Sequence, residues 1–288
     1  LEVTLFDAAG TQADTQPGGP GELRRVRLTV AYDGEPFHGF AENDGVRTVM
    51  GDLRAAIETV CRMPVELTGA GRTDAGVHGW GQVVSGDLPA PIDLNDLRVR
   101  VTKMCGPSIV VRDAAWTAAD FSARFSAEWR HYRYHVLNAP APNPFTAHRA
   151  WHVAKPLRLW AMQAAADALI GEHDFSAFCR RPKVAADQPQ PSMTRRVIST
   201  RWSAVDDDER PGLLRFEIRA NAFCHQMVRS IVGTLVDVGA GKLTPGDIRP
   251  ILLSKDRARA GQVAPPHGLC LWEVSYPPDE LPAPSMGA

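Results

Sequence analysis

The sequence lacks several common signatures. It has no Cys-x-x-Cys, and its five cysteines, Cys61, Cys105, Cys179, Cys224 and Cys270, are scattered and odd in number. That excludes a thiolate zinc site of the usual spacing and argues against a disulfide framework. No apolar run approaches membrane-spanning length, and no signal-peptide pattern opens the chain. A reduced, cytoplasmic setting without membrane contact is predicted. An excess of one charge is lacking too: 32 basic and 33 acidic residues leave a formal net charge of −1. Any grip on an anionic polymer must therefore come from a local patch.

What is present suits a globular chain. The 288 residues are 44% apolar, enough for two domains or one large one. The first 22 residues end in TQADTQPGGPGE, polar and rich in Pro and Gly, and read as a mobile leader. Order is expected from Leu23. There Val26, Leu28 and Val30 alternate with Arg25, Arg27 and Thr29, the pattern of a half-buried strand. Thr48 caps an expected helix with Met50, Leu53, Ile57 and Val60 on one face. Strands are expected over 63–68, 82–87 and 108–117, with a helix over 93–104.

Beyond residue 118 the pattern starts again. Trp129–Leu137 alternates and reads as a strand. Helices are expected over 156–170 and 223–238, the latter ending at Gly239. Strands are expected over 195–202, 213–220 and 269–276. Thr244-Pro245-Gly246-Asp247 has capping-box spacing and opens another helix. The organisation predicted is a leader (1–22), an α+β domain (23–118), a second α+β domain (119–277) and a loose tail (278–288).

Four stretches carry possible chemistry. GAGRTDAGVHGWGQ, Gly69 to Gln82, sets five glycines around a single acid, Asp74. It fails GxGxxG at the last glycine and has no Lys for a phosphate loop. Read from the residues alone, Asp74 is either a turn former or an ionised nucleophile or base. In the second case Arg72 is the nearby cation that favours its charged form, and the glycines let a large substrate approach. In RHYRYHVLN, Tyr132 and Tyr134 share one strand face, and His131, Arg133 and His135 the other. His131 and His135 lack an evident third metal ligand, whereas Tyr beside Arg suits stacking on a base.

In NAFCHQMVRSIVG, Phe223, Met227, Ile231 and Leu235 recur at helical spacing and read as core. Arg229 lies off that stripe. On its own it reads as a solvated arginine, and His225 as structural. Finally, Arg180, Arg181, Lys183, Arg195, Arg196 and Arg201 face only Asp187 in the stretch 180–201. This basic run is either a solvated face or a grip for a phosphate backbone.

Taken together, GRTDAGVH, FSARFSAEWRHYRYHVLN, GEHDFSAFCR and NAFCHQMVRSIVGTLVDVG resemble the tRNA pseudouridine synthase A family, in the family's order. AYDGEPFHGF and GLCLWEVSY resemble it too, so the likeness runs from about Leu23 to Tyr276. The resemblance implies two ferredoxin/RRM-like α+β halves, with antiparallel sheets joined around a central catalytic cleft. It implies isomerisation of uridine to pseudouridine in the anticodon stem-loop of tRNA, by a homodimer without metal or organic cofactor. Asp74 matches the family's nucleophilic aspartate, Tyr132 the aromatic that packs on the target base, and Arg229 the arginine paired with the aspartate. Arg72 matches a motif arginine that helps displace the base.

The chain departs from the family at Ala41, Asn43 and Met50, where glutamines are usual, and at Ser122, where histidine is frequent. These departures keep open a noncatalytic RNA-binding or folding protein on the same scaffold. A hydrolase using Asp74 on a small glycoside ranks last, because no partner acid stands in the catalytic blocks.

Overall fold

The computed structural model describes residues 21–181, 184, 190–206 and 210–278. The expected leader up to residue 20, Lys183 and the tail beyond 278 lie outside these residues. Leu23–Tyr32 forms β1, with Val26, Leu28 and Val30 buried and Arg25, Arg27 and Thr29 only partly so. Thr48 caps α1 (Val49–Cys61), its side chain accepting from the N–H of Gly51 at 3.2 Å. β2 (Leu67–Gly69) is shorter than predicted, and β3 (His78–Pro89) starts four residues earlier. α2 (Leu94–Cys105) is capped by Asp93, which accepts from the N–H groups of Asn95 and Asp96. β4 (Ile109–Trp116) closes this part.

The next part begins with β5, which spans Trp129–Leu137 as predicted. Two short strands go beyond the prediction, β6 (Trp151–His152) and β7 (Gly171–Asp174). Helix α3 is Leu159–Asp167, not 156–170. The N–H groups of Leu157 and Arg158 are instead bound to Asn138 Oδ1 and the Gly239 carbonyl, which keeps them out of the helix. β8 (Thr194–Ala204) and β9 (Leu213–Ala220) pair antiparallel.

Helix α4 is Met227–Gly239, so its first turn also comes later than the apolar spacing predicts. Gln226 precedes it in the left-handed region, at φ 63°. The left-handed residue at its far end is Gly241 rather than Gly239. α5 (Ile248–Ser254) follows a single tight turn in which the Asp247 carboxylate accepts from both N and Oγ1 of Thr244. β10 (Leu269–Ser275) ends the described elements.

Ten strands make one mixed, mostly antiparallel sheet in the order β4-β1-β3-β10-β5-β9-β8-β7, with β2 on β3 and β6 on β5. The last strand, β10, is inserted between the two parts. It runs parallel to β3 and antiparallel to β5. One core gathers Val26, Leu28 and Val30 with Leu53, Ile57, Leu97 and Val101. The other gathers Tyr132, Tyr134 and Val136 with Met162, Phe216, Ile231 and Leu235. Full burial of each such Leu, Ile or Val contributes about 1.5–3 kcal/mol relative to exposure. The β3–β10 seam lies between the cores, and the Asp74 loop leads into β3 at that seam.

Candidate active site

The loop that carries Asp74 is glycine-rich but tied down. The Ala70 N–H donates to the Val83 carbonyl at 2.8 Å, and the fully buried Gln82 donates to the Gly71 carbonyl at 2.9 Å. Thr73 is held twice: its Oγ1 lies 2.9 Å from Tyr32 Oη, and its carbonyl accepts from the Phe40 N–H at 3.1 Å. The Val77 N–H closes the turn on the Asp74 carbonyl. The glycines mostly serve this packing. A Cβ on Gly79 would collide with the Tyr32 ring, and Gly76 sits at φ 77° beside Pro266. Gly71 alone among these three has open space around it.

His78 anchors the far end of the loop. Its Nδ1 accepts from the N–H of Gly34 at 3.0 Å and faces Arg149 Nη1 at 2.7 Å. Burial, then the Arg149 charge, push its pKa down, so the neutral imidazole is favoured. With Nδ1 accepting, the proton belongs on Nε2, which donates to the carbonyls of His148 and His267. His78 is therefore a structural pin from β3 to three other segments.

Asp74 meets two side chains from the approach to α4 and its first turn. Arg229 Nη1 donates to Oδ2 at 2.7 Å, and His225 Nε2 lies 3.3 Å from Oδ1. Arg229 is itself fixed, since its Nε donates to the Ala264 carbonyl at 2.8 Å while the Ala264 N–H donates back to the Arg229 carbonyl. The cation on the carboxylate is therefore Arg229, and Arg229 is not the solvated residue it resembles in isolation. Arg72, the cation adjacent in sequence, is exposed and makes no hydrogen bond or ion pair among the described residues. His225 reads as structural in the sequence, and its contact with Asp74 has no signal there beyond its place four residues before Arg229.

Tyr132 comes from β5, is 8% exposed, and packs edge-on against Phe223 with ring centroids 5.0 Å apart. Burial, then the nearby Asp74 charge, push the Tyr132 phenol well above its ordinary pKa. Tyr132 thus presents a neutral aromatic to the Asp74 region. Its strand neighbour Arg130 ties the surroundings together. The half-buried guanidinium donates to the carbonyls of Ala70, Arg124, Ala127 and Asn221 at 2.7–3.2 Å. It so joins the start of the Asp74 loop to the segment that leads into α4.

The far face of β5 is engaged differently. Arg133 lies over the Trp272 ring at 3.7 Å and donates to Glu217 at 2.8 Å, and His131 lies between Glu217 and Glu273. Among the described residues no group of three or more His, Cys, Asp or Glu could hold a metal. Arg180 and Arg181 are exposed, and their guanidinium groups bind no described residue. The Arg180 N–H donates to the His225 carbonyl at 2.9 Å, so the basic segment begins next to the Asp74 cluster.

A family model described as tRNA pseudouridine synthase matches residues 165–277. A tRNA pseudouridine synthase A of Brevibacillus brevis is 39% identical over 88% of this chain and all of its own length. One from Frankia casuarinae is 42% identical, over 89% of this chain and 91% of its own. The chain belongs to the tRNA pseudouridine synthase A family. It is an isomerase of that family. Of the departures from the family pattern, Met50 is buried in the first core, Ala41 is half-buried and Asn43 is exposed. No described helix is long and apolar enough to cross a membrane.

Proposed function

We propose that the chain converts uridine to pseudouridine in the anticodon stem-loop of tRNA, at the family's positions 38–40, with Asp74 as nucleophile. The observation that carries this reading is the Asp74–Arg229 pair at 2.7 Å with Tyr132 alongside. A target uridine leaves its stack, at a cost of a few kcal/mol. The Asp74 carboxylate, paired with Arg229, then acts on the ribose, by attack at C1′ or by a route through a glycal. The C1′–N1 bond breaks, the uracil turns against the Tyr132 ring, and a C1′–C5 bond forms. C5 gives up its proton and N1 gains one, so the product is an isomer and no cofactor is consumed.

In this reading the α+β units 23–118 and 119–277, each ferredoxin-like, supply opposite walls of the site. The first carries Asp74 and the second Tyr132 and Arg229. Arg72, Arg180, Arg181 and Lys183 contact the RNA backbone or the displaced base. The working form is a cytoplasmic homodimer that binds one tRNA across both subunits.

The test is tritium release from tRNA carrying 5-³H-uridine, with the wild-type protein and Asp74→Asn. Release by the wild type alone supports the isomerase and Asp74. Intact tRNA binding with no release from either protein overturns it in favour of a noncatalytic RNA-binding protein.

A further inference from the structure

Both oxygens of Asp74 are engaged, but unequally. Oδ2 is held at 2.7 Å by Arg229, a side chain only 14% exposed and anchored at Nε on the Ala264 carbonyl. Oδ1 faces His225 Nε2 at 3.3 Å, and the His225 side chain is 47% exposed. The His225 ring has no other partner among the described residues. A carboxylate anchored at one oxygen can still rock about that contact, and a second donor suppresses the motion.

The backbone under His225 is built for this contact. The apolar spacing from Phe223 onward would continue α4 backward by a turn, yet the helix starts only at Met227. Gln226 takes the left-handed conformation instead, at φ 63°, and the His225 carbonyl accepts from the Arg180 N–H at 2.9 Å. A non-glycine residue held there is strained, and such strain clusters at functional sites. Here it turns His225 out of the helical path and over the carboxylate.

We infer that His225 is a positioning residue of the reaction: its Nε2, 3.3 Å from Asp74 Oδ1, is the donor available to the oxygen left by Arg229, and it orients the carboxylate for attack. The inference rests on the reading of Asp74 as nucleophile. Arg229 supplies the charge and the anchor, while His225 supplies the orientation.

The experiment compares His225→Phe and His225→Gln with wild type by single-turnover tritium release from 5-³H-uridine tRNA, with tRNA affinity measured separately. The phenyl ring keeps the bulk and removes the donor; the amide keeps a neutral donor. The expected result is a rate on the order of 10- to 100-fold lower for His225→Phe, at unchanged tRNA affinity and unchanged Tm. His225→Gln should recover most of that rate. Equal rates in all three proteins, or a loss in His225→Phe carried wholly by weaker tRNA binding, would overturn the inference and leave the reading of Asp74 standing. No release by the wild type would instead overturn that reading, and the inference with it.

Discussion

Arg229 and Asp74 stand 155 residues apart in the chain and 2.7 Å apart in the fold. The pair spans the β3–β10 seam, so neither part of the chain holds the site alone. Asp74→Asn keeps the shape of the side chain and removes its charge. Conversion is expected to fall by at least about 10⁴-fold, as for removal of a nucleophile, while tRNA binding remains. Arg229→Met removes the cation and leaves both the carboxylate and the Ala264 carbonyl short of a donor. Its stability is expected to fall by about 2 kcal/mol, because the pair is only partly desolvated. Urea titration and the tritium assay on both variants check the two claims.

Much of the fold is readable because it obeys a period. β5 and β9 have the bounds their alternation predicts, and α1 starts after the Thr48 cap as expected. The failures have specific causes. Phe223 continues the four-residue spacing of α4, yet it packs on Tyr132 from outside the helix, and periodicity cannot see the break at Gln226. β6 and β7 are too short to show a period. In the site, local spacing offers Arg72 as the partner of Asp74, whereas the contact is made by Arg229 across the seam. Only the likeness to a family points there, and nothing in the order of residues singles out His225.

Tyr32, Tyr132 and Tyr134 give the protein an alkaline limit. Burial is the largest cause in all three, and it pushes their phenols above the ordinary value near 10. The unfolded chain gives up these protons at about pH 10, and the folded chain does not. Below that pH the stabilisation is fully present; above it the unfolded state binds fewer protons and stability falls as pH rises. Absorbance at 295 nm, followed against pH beside circular dichroism, is expected to show these three phenols ionising only as the fold is lost. Ionisation of all the tyrosines near pH 10 with the fold intact would contradict this.

The glycines of the Asp74 loop separate into packing and access. Gly79→Ala sets a methyl group against the Tyr32 ring, whose hydroxyl holds Thr73. A stability loss of about 1–3 kcal/mol is expected, with a loss of conversion as the loop shifts. Gly71→Ala meets no atom within 4 Å and needs no left-handed backbone. Its stability is expected to stay within about 0.5 kcal/mol of wild type. If the flipped nucleotide approaches the backbone at Gly71, conversion by this variant falls while Tm does not. Paired measurement of Tm and single-turnover rate distinguishes the two glycines.

The basic segment after residue 179 tests how the substrate is held. The guanidinium groups of Arg180 and Arg181 are exposed and bind no described residue, and the Arg180 backbone is bonded to that of His225. The segment therefore begins beside His225 at the Arg180 backbone, while its two described guanidinium groups remain exposed. Changing Arg180, Arg181 and Lys183 together to Ala is expected to weaken tRNA binding and leave the fold unaltered. Each phosphate that is no longer neutralised reduces the steepness of log affinity against log salt by roughly 0.7–0.9, so a triple variant that frees three phosphates flattens it by about 2–3. Because the Asp74–Arg229 pair is untouched, the single-turnover rate at saturating tRNA should stay near wild type. An unchanged salt slope would remove these residues from the RNA interface, and a fall in the saturated rate would assign them to the chemistry instead.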